Sequence, residues 1–127
     1  MNQTLSIILG LMALGRILLG VAPFVAARPA SRLMGFPAEQ DVPAARLMAR
    51  LFGVRDVGLG VLVGYAIRHP EALTFVLLFN AAMDLGDIVS AVIPVAKRQG
   101  IDRGALTTGV FALGGMSSWL IVWGLFT

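Results

Sequence analysis

The chain has 127 residues, enough for one domain; 57% are hydrophobic and 13% charged, against about a quarter charged in soluble proteins. A formal charge of +3, from ten Lys and Arg against seven Asp and Glu, is too small and too scattered for a nucleic-acid-binding surface, and no nucleic-acid partner is expected. The absence of cysteine excludes thiol redox chemistry, disulfides, cysteine-ligated zinc and Fe–S clusters, and the single histidine, His69, supplies no metal cluster, so no cofactor or metal is expected.

A bilayer core about 30 Å thick needs about 20 mostly apolar residues per helix, and four stretches satisfy this: roughly 5–26, 46–67, 73–95 and 105–126. The expected fold is all-α, an integral membrane four-helix bundle with antiparallel up-down spans and no separate soluble domain. In the first span, Ala26-Ala27-Arg28 resembles a signal-peptide cleavage site, but no Lys or Arg precedes the apolar stretch and Arg16 interrupts it, so the helix is expected to remain. The first break, Arg28 through Pro43, has room for a short interfacial helix around Pro29 to Gly35, with Leu33, Met34 and Phe36 in the lipid surface. Arg68-His69-Pro70-Glu71 and Lys97 through Gly104 form the other two breaks.

Basic residues crowd the first and third breaks (Arg28, Arg32, Arg46; Lys97, Arg98, Arg103), whereas the second has only Arg68 and the tails have none. Cytoplasmic loops carry the excess of Lys and Arg, so the expectation is a multi-pass protein of the cell inner membrane with both termini outside the cytoplasm. Tyr65, Trp119 and Trp123 then fall toward the outer interface, where the tryptophans are expected to serve as anchors.

Six charges interrupt the spans: Arg16 in the first, Arg50, Arg55 and Asp56 in the second, Asp84 and Asp87 in the third. Each costs roughly 2.5–3.5 kcal/mol at a helix centre, so each demands a partner or a purpose. At about 1.5 Å per residue, Arg16, Asp56 and Asp84 lie about 15–16 Å along their helices, at the midplane, whereas Arg50 lies near an end and can snorkel. Gly53, Asp56, Gly60 and Gly64 share one face of the second span, and Asn80, Asp84 and Asp87 form one stripe on the third. The fourth aligns Gly104, Thr108, Gly115 and Ser118, small and hydroxyl groups suited to close packing and hydrogen bonds between helices.

The segments Leu14-Gly15-Arg16-Ile17-Leu18-Leu19-Gly20, Arg50 through Gly60 and Asp84-Leu85-Gly86-Asp87 resemble those of small four-helix bacterial membrane proteins loosely grouped with the DoxX-like families. The resemblance covers nearly the whole chain and implies fold and topology; since such families largely lack assigned chemistry, it names no reaction.

Three functions compete for the charges. An Arg–Asp network can simply fix helix register, with Arg16 paired to Asp84 or Asp87. A membrane enzyme acting on a lipophilic small molecule would use Asp56, Asp84 and Asp87 as acid and base, tuned by Arg16 and Arg55, for epoxide opening, isomerisation or cyclisation. Its substrate would lie between the second and third spans, where the polar stripe of the third can face the small-residue face of the second, touching Asn80, Arg50, Gly53 and Gly60, with Thr108 and Ser118 contributing from the fourth. A proton-coupled carrier would use the same aspartates and would be expected to form a homodimer, with Gly60 and Gly64 as one contact surface. The set exceeds what register requires, and the enzyme reading is favoured at this stage.

Overall fold

The computed structural model describes the whole chain, Met1–Thr127, and its regular structure is entirely helical. There are five α-helices rather than four: α1 Gln3–Val25, α2 Ala27–Leu33, α3 Pro43–Arg68, α4 Leu73–Ala96 and α5 Asp102–Phe126. The additional helix, α2, is seven residues long and occupies the first break. It is separated from α1 at Ala26, where φ −147° and ψ 53° stop the helical path. Local chemistry sets several ends. The Asn2 side chain accepts a hydrogen bond from the Leu5 amide at 2.8 Å, capping α1, and Pro43 opens α3, where its missing N–H costs nothing. Gly35 and Gly100 turn the chain at φ 88° and 80°, in the left-handed region that glycine enters freely.

α1, α4 with the turn before it (Pro70–Ala96) and α5 are long and apolar enough to cross a membrane, which marks the chain as a membrane protein. Their outward faces carry large apolar side chains, including Leu11, Leu18, Phe75, Val89 and Val110. α3 is equally long but carries Arg46, Arg50, Arg55, Asp56 and Arg68.

The long helices pack as two antiparallel pairs, α1 on α3 and α4 on α5, with α3 and α4 meeting over a shorter stretch. Glycine makes the first pair close. A methyl group on Gly20 would meet the Val57 amide nitrogen at 2.8 Å, and one on Gly60 would meet the Ala13 carbonyl oxygen at 2.8 Å. This register, Gly20 beside Gly53 and Ala13 beside Gly60, runs α1 against α3. The small face of α3 was expected to receive the aspartate stripe of α4; it receives α1 instead, because glycine surfaces permit backbone approach. Gly60 is consumed inside the chain and is not available to a second copy, whereas Gly64 faces open space.

The apolar core lies toward the end of the bundle holding both termini. It joins Leu5 and Leu9 of α1, Val63 and Ala66 of α3, Val76 and Leu77 of α4, and Trp119 and Val122 of α5. The charged residues form the layer below it.

Candidate functional site

Arg16 lies on the face of α1 that also buries Leu9, Ala13 and Gly20, so its guanidinium enters the bundle at mid-helix. It grips Asp84 of α4 with both terminal nitrogens, Nη1 to Oδ2 at 3.1 Å and Nη2 to Oδ1 at 2.7 Å. Planar two-point pairing of this kind fixes both side chains in orientation as well as distance. Trp119 of α5 donates from Nε1 to Asp84 Oδ2 at 2.9 Å, and the Arg16 guanidinium carbon lies 5.7 Å from the centre of its ring. Gly115, one turn before Trp119, makes room: a methyl group there would reach Asp84 Oδ2 at 2.5 Å. One residue from each of α1 and α5 therefore closes on the single carboxylate that α4 presents.

The second grip is lateral. Arg55 follows Gly53 by two positions on α3, so it points away from α1 and reaches α4. Its Nη1 and Nη2 bond Asp87 Oδ1 and Oδ2 at 2.8 and 2.6 Å, and the Phe52 ring lies 4.1 Å from its guanidinium carbon. With 27% of its side chain exposed, Arg55 is the most accessible member of the network. Asp56, on the glycine face, lies between the two pairs: its Oδ1 is 3.4 Å from Arg16 Nε and 3.5 Å from Arg55 Nη2. Three carboxylates thus share two guanidiniums. Asp84 and Asp87 each take a full two-point grip, and Asp56 is left with two long contacts.

The five residues expected to supply acid, base and charge, Arg16, Arg55, Asp56, Asp84 and Asp87, do come together. None of the expected binding residues makes a side-chain hydrogen bond or ion pair to these five. Arg50 is exposed and makes no ion pair, as its place near the helix end allows. Asn80 is fully buried and aligned with Asp84, but its amide nitrogen bonds the Val76 carbonyl of its own helix at 3.0 Å, and its Oδ1 has no partner. Gly53 and Gly60 contact α1. The Thr108 and Ser118 hydroxyls bond the carbonyls of Gly104 and Gly114 four residues earlier, not another helix, because that acceptor is always within reach of a helical hydroxyl. Two recesses lie at the opposite end from the core, around Arg32, Phe36, Pro37 and Ala38.

Trp119 is the residue that sequence reasoning misplaced. It is 3% exposed and holds Asp84 instead of anchoring at the interface, while Trp123, four residues on, is exposed. The signal was present in the spacing: Ala105, Ala112 and Trp119 recur every seven residues on the buried face of α5.

No curated protein and no solved structure matches the chain. Residues 13–127 do match the family model described as Domain of unknown function (DUF4267), and by that coverage the chain belongs to this family; the match shows no link to DoxX-like proteins.

Proposed function

We propose that this is a four-span membrane protein in which Asp56, the carboxyl in excess of the guanidiniums, is an exchangeable proton site serving a lipophilic small molecule. The observation carrying this reading is the stoichiometry: two arginines each hold an aspartate at 2.6–3.1 Å, and the third carboxylate has only contacts of 3.4 and 3.5 Å. Such a layer holds either one net negative charge or one proton, and at membrane depth the neutral arrangement is far cheaper. α3 serves as the fourth span. Its 26 residues reach about 39 Å at 1.5 Å each, and its two central charges are both paired toward the bundle. The basic residues of the first and third breaks support an inner-membrane orientation with both termini outside the cytoplasm.

Proton-coupled carriage fits this geometry best. Two glycine-tight or small-residue helix pairs are bridged at mid-depth chiefly by ionic contacts, which can exchange partners when a proton arrives. The second reading, acid-initiated epoxide opening, isomerisation or cyclisation, needs one proton donor beside ionised carboxylates, and Asp56 beside Asp84 and Asp87 has that form. In either case the lipophilic molecule arrives from the bilayer beside Arg55, the accessible edge of the layer.

The test begins with lipophilic molecules that co-purify with the protein, identified by mass spectrometry and returned to vesicles containing a trapped pH dye. A carrier moves protons inward with the molecule, and Asp56→Asn keeps binding but loses the coupling. An enzyme instead converts the molecule, and Asp56→Asn abolishes conversion while retaining binding. If Asp56→Asn matches the wild type in both assays, the proposal fails.

A further inference from the structure

Seven of the ten Lys and Arg residues lie at the end of the bundle away from the core: Arg28, Arg32, Arg46, Arg50, Lys97, Arg98 and Arg103. Four of them line two adjoining recesses of about 320 and 490 Å³. Arg28, Arg32 and Arg46 line the first, and Arg32 and Arg103 the second. The only carboxylate in either lining is Asp41, and it is already engaged. Arg46 bonds its two oxygens at 2.6 and 2.8 Å, while Arg28 stands 3.7 Å away with 70% of its side chain exposed. Arg32 and Arg103 have no ion pair. Arg28 and Arg32 are also four apart on α2, a spacing at which like charges repel unless an anion lies between them, and Ser31 lines the same recess. A wall that is built, concave and short of negative charge calls for an anionic ligand with several oxygens.

We infer that this recess seats the phosphate of an anionic phospholipid, with Arg28 and Arg32 as its principal ligands. Placement favours lipid over a free anion, and this step rests on the membrane reading above. α2 follows a membrane-length helix after one residue, at the level where headgroups lie. Its Leu33 is 79% exposed beside Arg32, offering acyl chains an apolar contact next to the charged one. Planar guanidiniums suit phosphate in two-point geometry, and the basic end of a membrane protein faces the anionic cytoplasmic leaflet.

The experiment measures lipid retention by native mass spectrometry of the full chain released from vesicles of mixed phosphatidylglycerol and phosphatidylcholine. Resistance of each variant to alkaline extraction is followed in parallel. The wild type should retain phosphatidylglycerol preferentially. Arg32→Gln should reduce that preference by about tenfold, Arg28→Gln/Arg32→Gln should abolish it, and Lys97→Gln, outside both recesses, should leave it intact. Arg32→Lys, which keeps the charge without the fork, should restore part of it. Equal retention of the two lipids, equal losses in Lys97→Gln, or displacement of the lipid by inorganic phosphate would each overturn the assignment. Release of the wild type itself by alkaline extraction would instead refute the membrane reading.

Discussion

Arg16→Gln and Asp84→Asn, singly and together, probe the grip that ties α1 to α4. Both side chains are buried, 9% and 6% exposed, and joined at 2.7 and 3.1 Å. Removing one partner of a buried pair costs about 3–5 kcal/mol, because the other charge is stranded. Neither charge is wholly abandoned here: Asp84 keeps the Trp119 N–H at 2.9 Å and Arg16 keeps Asp56 at 3.4 Å, so each single variant belongs at the lower end, about 3 kcal/mol. The double variant strands no charge within the pair. It should lose less than the two singles combined, with a coupling of about 1.5 kcal/mol or more. Reversible unfolding in mixed micelles of graded SDS content reads all four stabilities. Polar contacts between membrane helices average about 0.6 kcal/mol in such cycles, so a coupling at or below that value would make this an ordinary contact and refute the reasoning.

Trp119→Phe keeps an aromatic ring beside Arg16 but removes the N–H to a charged acceptor, and should cost about 1.5–3 kcal/mol in the same unfolding assay; no loss would show that Asp84 does not need this donor. Gly20→Ala presses a methyl group on the α3 backbone and should destabilise by about 1–3 kcal/mol, whereas Gly64→Ala faces open space and should be neutral or stabilising by up to about 1 kcal/mol. Reversal of that order would undo the α1–α3 register. The Arg46 hydrogen bond, helped by Arg28, holds the Asp41 carboxyl below the usual carboxylate range. A depressed folded value contributes stability above the ordinary value of about 4 that fades as pH falls below it, so Asp41→Asn should show less loss between about pH 6 and pH 3 than the wild type. Equal acid losses in the two proteins would contradict this.

Much of the charged layer was legible before the structure. Arg16 and Asp84 reach the midplane by residue count alone, and the cost of a lone membrane charge requires that they meet. Periodicity also set Asp56 among glycines, correctly grouping a face but not its neighbour. Which helix a glycine face receives depends on bundle order, and a single sequence carries no signal for that; hence α4 was expected where α1 lies. The same blindness hid what Gly115 makes room for, since its place on a small-residue face is visible in the sequence but the Asp84 carboxylate opposite it is not. Trp119 was misread because a tryptophan near a span end has two physical uses, and only its alignment with Ala105 and Ala112 separates them. Asp41 and Arg46 pair across five residues where a loop turns into α3, a contact made by loop geometry rather than by helical spacing.

Infrared difference spectroscopy of the purified protein in lipid tests the central claim most directly, since a protonated carboxyl has a carbonyl stretch distinct from that of a carboxylate. The account predicts one protonated carboxyl within the membrane layer near neutral pH, exchangeable in heavy water. Its band should vanish in Asp56→Asn and persist in Arg50→Gln, a charge that lies outside the network. A spectrum with no protonated carboxyl, or a band unchanged by Asp56→Asn, would contradict it.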